Sequence, residues 1–276
     1  MSTIPGITLN SGAMIPQLGF GVFQIDPEDT AETVGTALDA GYRHIDTAQM
    51  YGNEAEVGQA IAASGIARDE LWITTKCNNS HHGYDDAQAA LDESLRKLGL
   101  DDVDLYLIHW PLPGKDLYVQ TWKGFEKALA GGKTKNIGVS NFTEEHLERL
   151  AQETDTVPAV NQIELHPHMQ QMAMRAYDQR KGIATEAWSP IGQGKGLLDA
   201  PELEGIATTH DKSTAQVVLR WHMQLGNIIF PKSVTPERIR ENMEIFDFEL
   251  SDEEMESIAG MDKAQRLGPD PDEFDR

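Results

Sequence analysis

A chain of 276 residues, 39% hydrophobic and 25% charged, has the make-up of an ordinary globular protein and enough length to bury a large core. Its 45 acidic against 23 basic side chains give a formal charge of -22, which leaves no basic stripe for a nucleic-acid backbone and demands that any anion site be locally basic. Cys77 is the single cysteine, so there is no intrachain disulfide framework. The start, Met1-Ser2-Thr3-Ile4-Pro5, lacks the basic and apolar regions of a secretory signal, and no apolar stretch is long enough to span a bilayer. A cytoplasmic protein without membrane or nucleic-acid partners is the expectation.

Taken in chain order, residues 7–16 read as a hairpin turning at Ser11-Gly12, placed to plug the bottom of a barrel. After an apolar run at 18–21, Asp26-Pro27 opens a helix, with Asp as N-cap and Pro in the first turn. Val34, Ala37 and Leu38 give that helix one apolar face, and Gly41 ends it. Further strands are predicted at 42–45, 71–75, 103–108, 136–139, 159–163, 183–187 and 228–230. Between them Ala87, Ala90, Leu91, Ser94, Leu95 and Leu98 repeat the three-four helical spacing up to Gly99, and Thr143 caps another helix. Ser213-x-x-Gln216 and Ser251-x-x-Glu254 are capping boxes of later helices. The tail from Arg266 onward has no periodicity and is expected to be a loop.

Most of these strands are short with little polar alternation, the pattern of strands covered on both faces. Their spacing approximates one βαβ unit of roughly 30 residues, which implies parallel pairing. Eight such units fit a single α/β domain over 1–276, a closed (β/α)8 TIM barrel of typically about 250 residues with an N-terminal β-hairpin and a C-terminal loop. A doubly wound open sheet is the rival architecture.

Asp46, Lys76 and His109 each end one of these apolar runs, and Tyr51 follows the first of them. In a (β/α)8 barrel, reactive groups gather at the carboxyl ends of the strands. A phenol is a poor proton donor at its ordinary pKa of about 10, and a neighbouring ammonium lowers that value. Lys76 is expected to supply this charge, Asp46 to keep Lys76 protonated, and His109 to orient a substrate oxygen. Tyr51 is then the general acid in reduction and the general base in oxidation. Taken singly, each also has a bland reading: an N-cap, a satisfied core phenol, an exposed lysine, a packing histidine. Their joint placement on successive strand ends is what points to chemistry.

A second cluster lies near the C-terminus. Thr235 as N-cap and Pro236 in the first turn place a helix start directly after Lys232-Ser233, where free amides and the helix dipole favour a phosphate. Lys232 and Arg238 add two cations to an otherwise acidic chain. Ser140-Asn141 sits at another strand end, where a buried turn bonding to itself would look the same.

Gly41-Tyr42-Arg43-His44-Ile45-Asp46-Thr47-Ala48 with Tyr51-Gly52-Asn53-Glu54 resembles the N-terminal signature of the aldo-keto reductases. The segment from Val157 to Pro167 resembles the middle signature of that family, and Ile229-Phe230-Pro231-Lys232-Ser233 its C-terminal one. Trp188-Ser189-Pro190-Ile191-Gly192-Gln193-Gly194-Lys195 is similar to the bacterial 2,5-diketo-gluconate reductases within it. The resemblance implies NADPH-dependent reduction of an aldehyde or ketone, among them diketo sugar acids, dicarbonyls or keto esters, by a monomeric barrel. It implies that Asp46, Tyr51, Lys76 and His109 are catalytic. It further implies that Ser140, Asn141 and Gln162 hold the nicotinamide carboxamide, that Trp188 stacks on the ring, and that Lys232, Ser233, Val234, Arg238, Glu241 and Asn242 hold the adenosine-phosphate end. Where the family usually has an aliphatic residue and a tryptophan after the catalytic lysine, this chain has Cys77 and Asn78. Asn78 is therefore expected to open or polarise the pocket, with Phe23, Trp110 and the 266–276 tail as its other walls. Cys77 reads as buried filler.

Three rival readings are weaker on the residues. Gly19-x-Gly21 is not continued as G-x-G-x-x-G, because Gln24 stands at the last position. Tyr177 and Lys181 spell the Y-x-x-x-K of short-chain dehydrogenases without the glycine-rich turn those enzymes need. His81-His82 and His166-Pro167-His168 lack further ligands, so no metal is expected. A cofactor-binding regulatory or structural role on the same fold is the non-enzymatic alternative, and it sits poorly with a full set of four catalytic groups.

Overall fold

The computed structural model describes residues 4–275; Met1, Ser2 and Thr3, part of the signal-segment reading, and Arg276 at the end of the tail lie outside the described residues. The hairpin arms are β1 (Gly6–Thr8) and β2 (Met14–Pro16), antiparallel with Ile7 opposite Ile15. The strands that follow are β3 (Phe20–Gly21), β4 (His44–Asp46), β5 (Trp72–Cys77), β6 (Leu105–Ile108), β7 (Ile137–Ser140), β8 (Val160–Glu164), β9 (Ala184–Trp188) and β10 (Ile228–Ile229). Helices α1 (Pro27–Ala40), α2 (Glu54–Ala63), α3 (Tyr84–Leu98), α4 (Tyr118–Ala130), α5 (Glu144–Glu153) and α6 (Met172–Lys181) each follow one strand, in order. Then α7 (Pro201–His210) and α8 (Thr214–Gln224) follow β9, and α9 (Pro236–Glu241) and α10 (Asp252–Ala259) follow β10.

Every neighbouring pair from β3 to β10 is parallel and in chain order. The ring is closed between its first and last strands: the Gly19 amide donates to the Ile229 carbonyl at 2.9 Å, and the Ile229 amide to the Gln17 carbonyl at 3.0 Å. Closure removes both sheet edges and decides for the (β/α)8 barrel over the open sheet. The hairpin lies where expected: Leu9 and Ile15 pack with Trp72, Leu105, Leu107, Val160 and Ile228 in a cluster that fills one end of the barrel. The larger core lies between strands and helices, where α3 buries the spaced positions Ala87, Ala90, Leu91, Leu95 and Leu98. Each large apolar side chain fully buried there contributes roughly 1.5–3 kcal/mol.

Gly41 and Gly99 end α1 and α3 in left-handed conformation, φ 111° and 67°. Thr143, Ser213 and Ser251 cap their helices, each with a capping box. Strand limits shift by one or two residues from the expectation. Tyr42 and Arg43 precede β4, and the Tyr42 amide is still bonded to the Ala37 carbonyl at the end of α1 (3.0 Å). Lys76 stands inside β5 rather than after it, and its side chain is wholly buried.

Candidate active site

A cavity of about 670 Å³ opens at the carboxyl ends of the strands. Asp46, Ser140 and Trp188 close β4, β7 and β9, His109 follows β6, Gln162 lies in β8, and Tyr51 sits on a short 3-10 turn (Gln49–Tyr51) after β4. Non-glycine residues with positive φ gather there: Gln24, Asn141, Ser189 and Gln193 all line the cavity. Such conformations cost free energy and persist where the surroundings over-determine the backbone.

The Lys76 ammonium has three protons and three acceptors: Asp46 Oδ2 at 2.7 Å, the Thr47 carbonyl at 3.0 Å and Tyr51 Oη at 3.3 Å. Since ammonium can only donate, the Tyr51 oxygen is the acceptor and its own O–H is left to point elsewhere. Tyr51 lines the cavity, with the His109 ring edge-on at 5.7 Å. Burial pulls the Lys76 pKa down, but Asp46 and Tyr51 outweigh it and the net shift is upward, so the lysine stays charged. For Tyr51 the balance differs from the sequence-based expectation. Burial raises the phenol pKa by more than Lys76 lowers it, and Asp46 adds to the rise. The phenol therefore keeps its proton through the neutral range. Burial, reinforced by Lys76, drives His109 well below an ordinary histidine, so its imidazole is neutral.

Asp46 uses both oxygens, because Oδ1 accepts Gln162 Nε2 at 3.0 Å. The other Gln162 N–H goes to Glu186 Oε2 at 2.9 Å. Two carboxyl groups on one side fix which way the amide is turned and leave its Oε1 as an acceptor facing the site. Ser140 Oγ donates to the Gln162 carbonyl at 2.9 Å. Asn141 donates to the His109 carbonyl at 3.0 Å, and its Oδ1 accepts the Trp188 indole N–H at 2.8 Å. Lys232 and Arg238 also line the cavity.

Residues 15–263 match the aldo/keto reductase family. The chain is 53% identical over 270 residues to an aldo-keto reductase of Mycobacterium sp. (strain JLS), covering 98% of each. It is 50% identical over 276 residues to the methylglyoxal reductase DkgA of Yersinia pestis, covering 99% of each. A solved structure of a Gox0644 mutant in complex with NADPH superposes with a TM-score of 0.95 at 43% identity, over 99% of both chains.

The chain belongs to the aldo/keto reductase family.

Within this aldo/keto reductase the cavity contains most of the residues singled out from sequence, but not all. Phe23 and Trp110 line it, Phe23 packing on Tyr51 at 5.0 Å. Asn78 does not. Its Oδ1 turns back to accept the Ser80 amide at 3.2 Å, capping a 3-10 turn, and Phe23, Met50 and Trp110 wall the cavity instead. The Asn78 amide thus stands outside the lining, because a short amide next to a backbone N–H is satisfied locally. Ser233, Val234, Glu241 and Asn242 stand outside the lining, with Val234 exposed and Asn242 buried. The helix start expected to hold phosphate has only six residues in α9 and no side-chain cap from Thr235, so the cations outrank its dipole. Cys77 is buried, with its thiol pushed up to about 12 by burial, which makes it inert. Tyr177 and Lys181, on α6, share Glu148 of α5, each at 2.7 Å, and neither lines the cavity. Among the described residues no cluster of His, Cys, Asp or Glu could hold a metal.

Sequence reasoning did not pick out Glu186 or Glu164, whereas Leu267, Gly268 and Pro269 in the lining belong to the 266–276 tail expected as a wall. Glu186 carried one usable signal: in Glu186-Ala187-Trp188 it lies two residues before the cavity aromatic, hence on the same strand face.

Proposed function

We propose that the protein is an NADPH-dependent carbonyl reductase in which Tyr51 donates the proton to the substrate oxygen. The single observation carrying this reading is the saturated Lys76 ammonium, which leaves the Tyr51 O–H as a donor aimed away from it. NADPH, when bound, supplies the hydride. Gln162 Oε1 suits the N–H of a carboxamide, since both of its own N–H groups are taken. Ser140 and Asn141 would complete that contact, Trp188 would cover the ring, and Lys232 and Arg238 would neutralise phosphate charge. Ser233, Val234, Glu241 and Asn242 would adjoin the adenosine end.

Lys76 stays protonated throughout and stabilises the negative charge that grows on Tyr51 Oη as its proton leaves. Neutral His109 can share the carbonyl oxygen with Tyr51 and fix its direction. Among the described lining residues the charged cations are Lys232 and Arg238, both assigned to phosphate. Phe23, Met50, Trp110 and Leu267 give the cavity apolar walls, and its further polar side chains, Gln24, Ser189 and Gln193, carry no charge. An uncharged aldehyde or dicarbonyl therefore fits better than a sugar acid. The solved relative with NADPH and the relative named methylglyoxal reductase are consistent with this choice.

The test follows NADPH oxidation with methylglyoxal. Tyr51→Phe should lower kcat by about 10²–10⁴-fold, the usual worth of a positioned acid, while NADPH affinity stays within about twofold. Unchanged turnover in that variant would sink the mechanism.

A further inference from the structure

Glu164, the last residue of β8, takes no part in proton delivery, yet its side chain is fully buried. Its Oε1 accepts the Leu267 amide at 2.5 Å and lies 3.0 Å from His166 Nε2, and its Oε2 accepts the Gly268 amide at 3.0 Å. Burial alone would favour the neutral acid. His166 and the two amides outweigh it and hold the carboxyl below its ordinary range, so the group is a carboxylate. Leu267, Gly268 and Pro269 in turn line the cavity. Gly268 lies so close to Trp188 that a Cβ there would stand 2.6 Å from Cη2 of the indole and 3.4 Å from Glu164 Oε2.

The tail has other anchors, and they are of a weaker kind. Asp272 accepts from Thr143 Oγ1 at 3.1 Å and Asp275 accepts from the Gly114 amide at 2.8 Å, both at the exposed surface. Phe274 packs on Trp110 at 4.6 Å. Exposed polar contacts contribute little, whereas amides donated to a desolvated carboxylate are among the strong hydrogen bonds. The grip on the cavity-lining stretch is therefore concentrated at Glu164.

We propose that Glu164 is a positioning residue for substrate specificity, latching residues 267–269 against Trp188 and thereby setting one wall of the carbonyl pocket. This rests on the carbonyl-reductase reading above. Glu164→Gln keeps the shape but turns an N–H toward amides that need an acceptor. The variant should raise KM for benzaldehyde about tenfold, the scale of losing a charge-assisted bond, while the Kd for NADPH moves less than about twofold. Backbone amides of 267 and 268 should exchange hydrogen about tenfold or more faster than in the parent, a readout independent of activity. Gly268→Ala, which displaces the same stretch with Glu164 intact, should raise KM similarly. In that background Glu164→Gln should add less than about twofold, because both changes break one contact.

An unchanged KM, unchanged exchange at 267 and 268, or full additivity of the two substitutions would overturn the latch. So would a rise in the NADPH Kd as large as that in KM, the mark of a general structural defect. Should the parent oxidise NADPH with no aldehyde at all, the reading of the site fails instead, and the exchange arm still decides whether Glu164 holds the tail. If Glu164→Gln does not fold, Gly268→Ala with the same KM and exchange measurements carries the decision.

Discussion

Replacing Lys76 by Met tests the centre of the site, because it separates what the buried ion pair does for folding from what it does for chemistry. Lys76 is 0% exposed, and its partner carboxylate on Asp46 lies at 2.7 Å with 7% exposure. Removing one partner of such a pair leaves the other charge buried with less compensation and costs about 3–5 kcal/mol. Gln162 still donates to Asp46 in the variant, which places the expected loss at the lower end of that range. For a chain of this size that corresponds to roughly 6–12 °C in melting temperature. The double variant Lys76→Met with Asp46→Asn removes both charges at nearly constant volume, and the amide oxygen that Asp46→Asn introduces can still accept from Gln162. It should recover most of the lost stability. Neither variant should recover activity: without the ammonium 3.3 Å from Tyr51 Oη, the developing phenolate is unsupported and kcat should fall about 10²–10⁴-fold in both. The assays are thermal unfolding by circular dichroism and NADPH oxidation with methylglyoxal. A double variant no more stable than Lys76→Met, or a single variant with parental kcat, would refute the reasoning.

Three further outcomes are expected. Lys232→Ala and Arg238→Ala should each raise KM for NADPH about tenfold or more and leave KM for NADH nearly unchanged, read from initial rates with each cofactor. Burial holds the Glu186 carboxyl up at about 8, with Asp46 adding to the rise. Its raised folded pKa gives stability that is complete below the unfolded value and is lost as pH climbs through the folded one. The melting temperature of Glu186→Gln should therefore gain on the parent between about pH 5 and 8, and a constant gap would contradict the assignment. A Cβ on Gly58 would stand 2.3 Å from the Leu98 carbonyl oxygen, so Gly58→Ala should force α2 off the end of α3 and lower stability by about 1–3 kcal/mol in urea unfolding.

Much of this site is visible along the chain because a strand delivers its last inward residue to one end of a barrel. Asp46, Lys76 and His109 could be tied to one another by counting apolar runs, and the helix starts at Asp26-Pro27, Ser213 and Ser251 are local signals. Period and capping are properties of a few successive residues, so the order of elements, their faces and the strand-end location of the chemistry follow from sequence without any tertiary contact.

Closure of the sheet, the turn of each amide and the net direction of each pKa are different in kind. Whether the first and last strands meet depends on Gly19 and Ile229, and whether Gln162 offers oxygen or nitrogen to a ligand depends on Asp46, 116 positions away in the chain, and on Glu186. Asn78 illustrates the limit: its residue type suggested a polar pocket wall, and one local bond to the Ser80 amide turns it elsewhere. For Tyr51 the lysine was foreseeable, but the burial that outweighs it is a sum over many surrounding atoms. Desolvation and long-range hydrogen bonds are set by what packs around a group from every direction, and that has no counterpart in the few residues on either side of it.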